Sequence, residues 1–296
     1  MAERTARQTG HSTGKTGLVM EGGAMRGMFT CGVIDVLMEN GIRFDGAAGI
    51  SAGAVFGCNF KSRQIGRPVR YNKKYCTDPR FCSLRSLIRT GDLYGADFCY
   101  RELPEVLDPF DRETFRDDPT EFYVGATDVS TGRCVYHKCT DGGENDILWM
   151  RASASMPLVS RPVRADGYLL LDGGISDAVP YAFMERNGFR RNLIVLTQPR
   201  GYRKRAGMAA PLLKLALRRY PAVARAMAVR HEMYNRQMEQ IGERERAGAC
   251  FVIRPPESLG IGRTEKDPDR LERVYVTGRT AAEKAIPGLR RFLGIP

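Results

Sequence analysis

The amino-acid sequence predicts a three-layer α/β fold with a central, mainly parallel sheet. Residues 17–21 and 44–50 are short apolar runs typical of buried strands, residues 28–40 have apolar side chains at helical spacing, and residues 52–60 follow as a second helix. This alternation is typical of a parallel sheet, because neighbouring parallel strands need a crossover that a helix supplies. Five further strands are predicted, at residues 122–127, 133–138, 168–171, 192–197 and 250–254.

One ordered domain is expected over residues 17–296. A chain of 296 residues can bury a sizeable core, and 43% hydrophobic and 27% charged residues are ordinary for a soluble globular protein. Residues 1–16 are polar and lack an apolar signal segment, and no apolar run reaches the roughly 18 residues of a membrane span. We therefore expect a disordered tail over 1–16 and a cytoplasmic location. The irregular, aromatic stretch 63–119 is expected to cover the functional site and to set its specificity.

The cysteines do not indicate a metal site or disulfides. Eight are scattered along the chain without a C-x-x-C pair, and reduced thiols are expected. Cys134, His137 and Cys139 lie close in sequence, but they fall on a predicted strand whose alternating faces separate Cys134 from His137. No second pair of ligands follows at the spacing of a metal site. The sequence therefore predicts no metal and no cofactor.

The positive charge is concentrated in one part of the chain. The net charge is +12, and 12 basic against 4 acidic residues between positions 200 and 247 give that stretch a net charge of +8. Residues 211–246 are predicted to be helical with a break at Pro221, and leucines and valines alternate there with basic residues. Such a stretch either lies on an anionic membrane or packs on the core with a solvated basic face. No nucleic-acid-binding motif is present, so nucleic acid is not expected as a partner.

A serine motif stands between the second predicted strand and the helix that follows. Residues 49–53 read Gly-Ile-Ser-Ala-Gly, which matches G-x-S-x-G in the strand-to-helix context that the motif requires. The sharp turn leaves no room for side chains at Gly49 and Gly53, and it lifts the Ser51 hydroxyl above the sheet at a helix N-terminus that favours negative charge. The alternative is a turn of small residues with a helix-capping serine.

A glycine-rich loop joins the first predicted strand to its helix. Residues 21–27 read Glu-Gly-Gly-Ala-Met-Arg-Gly and end at Gly27. The backbone N–H groups near Gly22, Gly23 and Ala24 could form an oxyanion hole. A dinucleotide phosphate loop fits less well, because G-x-G-x-x-G requires glycine where Ala24 stands. A plain tight turn is the third alternative.

An acidic residue follows another predicted strand. Asp172 precedes Gly173 and Gly174, so its carboxylate at the strand end could serve as general base to Ser51. An Asp-Gly hairpin turn is the alternative. Of three histidines, only His231 follows Asp172 and could complete the Ser, acid, His order of an α/β-hydrolase triad. A chain with so few histidines fits a Ser–Asp dyad better.

Together, these motifs resemble those of the patatin-like phospholipase family. That family has an x-G-G-x-x-R-G loop, a G-x-S-x-G elbow and a D-G-G or D-G-A motif, and here these stand at 21–27, 49–53 and 172–174 in the same order. The resemblance covers roughly residues 17–199. Further segments that resemble the family, or the extension of one bacterial branch of it, are 125–132, 152–157, 171–180, 252–256 and 275–278.

The resemblance implies a Ser–Asp dyad without histidine, no metal cofactor, and hydrolysis of lipid acyl esters through an acyl-serine intermediate. Ser51 would be the nucleophile, Asp172 the base, and the loop around Gly23 and Ala24 the oxyanion hole. Arg26, the motif arginine, would hold the loop or meet a lipid phosphate. The substrate would be a phospholipid, a lysophospholipid or another carboxylic ester, met at the inner face of an anionic membrane.

Two departures from the family pattern leave other functions open. Glu21 stands where aspartate or glycine is frequent, and Ala24 replaces the middle glycine of the plant form, although alanine resists positive φ. One alternative is a regulatory module that uses residues 22–27 as a cradle for nucleotides or other anions. The other is a triad hydrolase that uses His231.

Overall fold

The first strand begins two residues earlier than the sequence predicts. The computed structural model describes residues 14–208 and 210–296, and in it β1 spans Lys15–Met20. The backbone N–H and the hydroxyl of Thr16 donate to Asp45 Oδ2 over 2.6 and 2.8 Å, which holds this end of the strand. Lys15 and Thr16 therefore do not belong to the predicted disordered tail, and the rest of that prediction, up to residue 13, lies outside the described residues.

The sheet is mixed but mainly parallel. Its strand order is β5-β6-β3-β2-β1-β7-β8, with β4 also paired to β3. The five strands from β3 to β8 in that order run parallel, whereas β4, β5 and β6 pair antiparallel. The remaining strands are β2 (Gly46–Ile50), β3 (Glu121–Asp128), β4 (Cys134–Cys139), β5 (Val163–Ala165), β6 (Tyr168–Asp172), β7 (Phe189–Val195) and β8 (Cys250–Ile253). The three-residue β5 is too short to give a periodic signal, and the sequence did not predict it.

Side chains of the central strands alternate between two hydrophobic layers. Leu18 and Met20 of β1 pack into the larger core, while Val19 packs into the second core on the opposite face. Neighbouring β7 repeats this with Leu193 and with Ile194 on the other side. Helices thus cover both faces of the sheet, and the predicted three-layer α/β fold is confirmed.

The helices follow the predicted positions at the start of the chain and differ later. Helix α1 begins at Gly27, but the predicted helix 52–60 is two short helices, because the hydrogen bonds change to an i+3 spacing at Asn59 and Phe60. The α-helices are α1 (Gly27–Glu39), α2 (Ala52–Val55), α3 (Cys58–Lys61), α4 (Arg67–Tyr75), α5 (Leu84–Thr90), α6 (Arg112–Asp117), α7 (Glu144–Ser153), α8 (Tyr181–Arg186), α9 (Ala210–Ala216), α10 (Pro221–Ala228), α11 (Arg230–Arg246) and α12 (Pro268–Leu293), and a π-helix spans Phe98–Leu107. Every helix in the described ranges is too short or too polar to cross a bilayer.

The long C-terminal helix α12 packs directly on α1. A Cβ atom added at Gly278 would overlap the backbone carbonyl of Phe29, and one added at Gly32 would overlap that of Tyr275. The Tyr275 hydroxyl also donates to the buried Asp35 carboxylate over 2.8 Å. The two glycines therefore let the helix backbones approach closely, and the C-terminal helix shares one core with the start of the chain.

Candidate active site

The register of the sheet brings the serine and aspartate motifs together. Ile50, the last residue of β2, pairs with Gly125 of β3, and Asp172, the last residue of β6, pairs with the next residue, Ala126. Ser51 follows Ile50 directly. Two residues that are 121 positions apart in sequence therefore meet beside one strand.

The Ser51 hydroxyl donates a hydrogen bond to the carboxylate of Asp172. The distance from Ser51 Oγ to Asp172 Oδ2 is 2.7 Å, and the other carboxylate oxygen accepts the backbone N–H of Gly174 over 2.7 Å. Asp172 is only 2% exposed, and this burial raises the pKa of its carboxyl. The positive charge of Arg230 and the bond from Ser51 oppose that rise and favour the ionised form. The pair has the geometry of a nucleophile and its general base.

Ser51 occupies a strained turn. Its φ of 54° and ψ of −121° lie in a region that residues with a side chain rarely adopt. A Cβ at Gly49 would overlap the carbonyl of Gly53, and a Cβ at Gly53 would overlap the carbonyl of Met20. The glycines of the motif are thus needed for the turn, as the sequence predicts.

A second serine holds this turn in place. Ser153, at the end of α7 and fully buried, accepts the backbone N–H of Ser51 over 2.8 Å and donates to the carbonyl of Gly125 over 2.6 Å. The neighbouring Ser155 accepts the backbone N–H of Asp172 through its carbonyl over 2.8 Å. The small-residue segment at the end of α7 therefore positions both motif residues.

The glycine-rich loop lies directly against Ser51. A Cβ at Gly22 would come within 3.0 Å of Ser51 Cβ, so a side chain there would force Ser51 or its neighbour to shift. The N–H of Gly22 donates to the carbonyl of Ala178 over 3.3 Å, which corrects the prediction that Gly22 is a free oxyanion donor. The N–H groups of Gly23 and Ala24 have no backbone acceptor among the described residues. Ala24 adopts a φ of 48°, the conformation that alanine resists.

Glu21 joins the loop to two other elements. Its buried carboxylate accepts the backbone N–H of Thr197, just after β7, over 2.5 Å and the hydroxyl of Tyr234, on α11, over 2.8 Å. Arg26 reaches the same point, with its Nε 3.4 Å from Thr197 Oγ1. Two long-range contacts therefore fix the conformation of the loop, and Arg26 takes part in holding it.

A cavity of about 1130 Å³ opens onto Ser51 and Asp172. The segment between α3 and β3 supplies much of its apolar wall, as expected from the irregular stretch 63–119. Residues of that segment on the wall are Tyr71, Phe81, Leu93, Tyr94, Cys99, Tyr100 and Leu103. Basic residues line the cavity too, among them Lys204, Arg230 and Arg263. The cavity therefore combines apolar and cationic lining residues, and Ser51 lines the same space.

The remaining sequence candidates lie elsewhere. His231 lines the cavity, but among the described residues it forms no hydrogen bond with Ser51 or Asp172. The donor atoms of His137, Cys139 and Asp146 lie within 4.8 Å of one another, a group that the sequence did not predict. One Asp146 oxygen bonds His137 over 2.7 Å and the other accepts the backbone N–H groups of residues 140–142, so the chain itself satisfies this carboxylate.

Comparison with known families identifies the part of the chain that carries the three motifs. The family model described as patatin-like phospholipase matches residues 18–184, more than half of the 296 residues, and this stretch contains all three motifs. The chain belongs to the patatin-like phospholipase family. A second model, described only as a domain of unknown function, matches residues 220–294, which include α11 and α12. The patatin-like match thus carries Ser51 and Asp172, whereas Arg230 and Arg263 fall in the second match.

Curated relatives share the patatin-like part. The Escherichia coli protein YjjU is 32% identical over 192 residues, which are 63% of this chain and 53% of that protein. The Mycobacterium bovis NTE family protein Mb1092c is 29% identical over 181 residues, 61% of this chain and 48% of that protein. The Emericella nidulans protein named lysophospholipase nte1 is 29% identical over 179 residues, 58% of this chain and 11% of that protein. The chain spans about half the length of the first two relatives.

Proposed function

We propose that this chain is a serine hydrolase of lipid acyl esters that works with the dyad Ser51 and Asp172. The observation that carries the proposal is the 2.7 Å hydrogen bond from Ser51 Oγ to the buried Asp172 carboxylate. The strained turn at Ser51 supports it, because such a conformation persists only where the surrounding structure holds it, and strain of this kind clusters at active sites. The cavity supports it too, since its apolar wall suits an acyl chain.

In the first half of the reaction, Ser51 Oγ attacks the ester carbonyl carbon. The hydroxyl proton passes to Asp172 Oδ2, which already accepts its hydrogen bond. The N–H groups of Gly23 and Ala24 are the proposed donors to the oxyanion of the tetrahedral intermediate, because they are the loop amides without a backbone acceptor. When the intermediate collapses, the carbon–oxygen bond to the alcohol breaks and Asp172 returns its proton to the departing alcohol oxygen.

In the second half, water clears the acyl-serine. Asp172 takes a proton from the water, whose oxygen attacks the acyl carbon, and the oxyanion occupies the same amides. The bond to Ser51 Oγ then breaks, the serine regains its proton from Asp172, and the fatty acid leaves. The net reaction converts an ester and water into an acid and an alcohol, with no cofactor required.

Lysophospholipids and other single-ester lipids are the proposed substrates. The name of the Emericella nidulans relative, a lysophospholipase, supports this class. The cavity supports it as well, because its volume of about 1130 Å³ exceeds the roughly 300–1,000 Å³ typical of small-molecule sites.

Peripheral contact with an anionic membrane is part of the proposal. Met208, Leu212 and Leu215 are 53%, 59% and 65% exposed, and both Met208 and Leu213 also line the cavity. Basic residues accompany them, so the surface combines apolar contact with attraction to anionic lipid. We expect Leu212→Ser with Leu215→Ser to weaken binding to phosphatidylglycerol vesicles by roughly tenfold. The control Val276→Ser, on the exposed face of α12, should bind like wild type, and equal binding by all three proteins would exclude this surface.

Turnover of p-nitrophenyl butyrate and of lysophospholipid tests the dyad. Ser51→Ala and Asp172→Asn should each lower kcat by roughly 10⁴, the scale of loss when a serine hydrolase loses part of its machinery. His231→Ala should retain most of the activity. Loss of about 10⁴ in His231→Ala would instead support the triad alternative. Nucleotide binding to a folded wild type that hydrolyses no ester would support the regulatory alternative.

A further inference from the structure

Three basic residues on the cavity wall form no ion pair with a carboxylate among the described residues. Lys204, Arg230 and Arg263 line the same cavity as Ser51. In the described ranges none of the three forms an ion pair within 4.0 Å, whereas their neighbour Arg203 pairs with Glu239 over 2.6 Å. Positive charges that form no ion pair in a cavity favour an anion there, and they outnumber the one carboxylate that the described residues place on this wall, Asp172.

Lys204 is fixed from two sides. The side chain of Asn235, on α11, accepts the backbone N–H of Lys204 over 2.8 Å and donates to its carbonyl over 3.0 Å. The ammonium lies 4.7 Å from the centre of the Tyr234 ring. The Tyr234 hydroxyl in turn bonds Glu21, so Lys204 is tied to the glycine-rich loop through one contact chain.

Arg230 is bonded beside the aspartate motif through its side chain, and Arg263 is bonded to another wall residue through its backbone. Arg230, the first residue of α11, donates through Nε to the carbonyl of Gly174 over 2.5 Å, two residues from Asp172. The backbone carbonyl of Arg263 accepts the hydroxyl of Tyr94, another cavity residue, over 2.9 Å. Both guanidinium groups thus belong to segments that are bonded to the cavity wall.

Burial and nearby positive charges lower the pKa of Lys204. Burial, together with the nearby positive charges of Arg230, Arg26 and Arg263, lowers the pKa of its ammonium to about 8, and the negative charge of Glu21 opposes this decrease. Glu21 already accepts two hydrogen bonds and is buried, so it is not available to a cation in the cavity. A bound anion would relieve this repulsion.

We propose that Lys204, Arg230 and Arg263 form a phosphate subsite of the active cavity, which selects lysophospholipid-type esters whose phosphate carries no cationic alcohol. In such a lipid, the three carbons of glycerol separate the ester oxygen from the phosphate, so both groups must bind within one cavity. A quaternary ammonium or primary amine on the phosphate would meet the same three cations and be repelled. This inference rests on the proposed hydrolase function and adds its substrate class.

Competition between two soluble esters tests the subsite. The substrates are 1-hexanoylglycerol 3-phosphate and 1-hexanoylglycerol, both used as monomers. The ratio of their kcat/KM values should favour the phosphate ester in wild type and fall by about tenfold or more in Lys204→Gln, because one charge-assisted hydrogen bond is lost. Arg263→Gln, at an exposed position where loss of folding is not expected, should lower the ratio in the same way.

A matched control lies on the same helix as Arg230. Arg246→Gln removes the same charge at the far end of α11, about 24 Å along the helix axis at 1.5 Å per residue, and should leave the ratio unchanged. An equal ratio in wild type, Lys204→Gln and Arg263→Gln would overturn the assignment of these residues to the lipid phosphate while leaving the hydrolase function intact.

Inorganic phosphate separates the two possible sources of the anion. If phosphate raises the melting temperature of wild type but not of Lys204→Gln, the subsite is supported whether or not the esters are hydrolysed. Absence of ester hydrolysis would refute only the proposed function. If phosphate protects but the ester ratio stays equal in all variants, the headgroup assignment is overturned in favour of free phosphate.

The pH dependence provides a second readout that a merely structural lysine would not give. Lys204 is charged below its pKa of about 8 and neutral above it, so KM for the phosphate ester should rise above that pH relative to KM for the neutral ester. The Lys204→Gln variant should lack this rise. The charged or titratable groups near Lys204 that could contribute are Glu21, Arg26, Tyr202, Arg230, Tyr234 and Arg263. A rise of equal size in Lys204→Gln would contradict the assignment.

Discussion

Ser153→Ala is expected to slow the reaction of Ser51 without removing any group that touches substrate. The Ser153 hydroxyl is the acceptor for the backbone N–H of Ser51 at 2.8 Å, and it is fully buried. Alanine leaves that N–H without its partner in the strained turn. A buried donor without a partner costs about 1–3 kcal/mol.

The size of the effect follows from that cost. If the whole cost falls on the reactive conformation, the fraction of molecules that hold Ser51 at φ 54° falls between roughly 5-fold and 150-fold, at 1.36 kcal/mol per factor of ten. The assay is the initial rate of labelling by a fluorophosphonate probe, measured together with urea unfolding so that only folded protein is compared.

Ser155→Ala is the matched control. Its hydroxyl donates only to the carbonyl of Arg151 over 2.7 Å, and its backbone bond to Asp172 does not depend on the side chain. We expect a stability loss of about 1 kcal/mol and an unchanged labelling rate. Equal labelling rates for Ser153→Ala and Ser155→Ala would refute the reasoning, because the turn would then hold Ser51 without this hydrogen bond.

Three further predictions concern charge and close packing. The Asp172 carboxylate is the proposed base, so activity should appear as pH rises through its pKa. Arg230→Gln removes a positive charge that lowers this pKa, so the acidic limb of the pH–activity profile for a neutral ester should move to higher pH. Gly278→Ala should lower the free energy of unfolding by about 1–3 kcal/mol, measured by urea denaturation, because its Cβ overlaps the backbone of α1, whereas Thr280→Ala on the exposed face should have little effect. Gly49→Ala should abolish probe labelling, because its Cβ overlaps the backbone of the serine turn. An unchanged pH–activity profile in Arg230→Gln would contradict the first prediction. Equal stabilities of Gly278→Ala and Thr280→Ala would contradict the second, and normal labelling of Gly49→Ala would contradict the third.

The sequence predicts the parts of the fold and site that local patterns determine. Short apolar runs separated by helical segments predict the strands and the mainly parallel sheet. The spacing of Gly49 and Gly53 predicts the turn at Ser51, because a side chain two residues before or after the serine would collide there. The strand end before Asp172 is likewise a local signal. These predictions need no knowledge of which distant residues meet.

Long-range contacts are the part that the sequence does not predict. Ser153 is 102 positions from Ser51, and its role depends on where α7 ends relative to the sheet. Glu21 is 213 positions from Tyr234, so nothing near Glu21 indicates why a glutamate stands there. In the sequence, Arg230 is one of many basic residues in a helical stretch, and only the folded structure shows that it lines the cavity.

Which N–H groups of the glycine-rich loop are free also depends on long-range contacts. A glycine-rich pattern predicts that backbone amides are accessible, but the loss of Gly22 as a free donor depends on Ala178, which lies after the third motif. A local motif therefore predicts the presence of an oxyanion loop better than it predicts which of its amides are free.

Site mapping of a fluorophosphonate label tests the central claim most directly. The probe reacts only with an activated serine, and mass spectrometry of the digested protein identifies which serine carries it. The account predicts a single label on Ser51, lost in Asp172→Asn and retained in Ser176→Ala, whose hydroxyl bonds Thr127 instead. A folded wild type that takes up no label, or an Asp172→Asn variant that labels as fast as wild type, would contradict it.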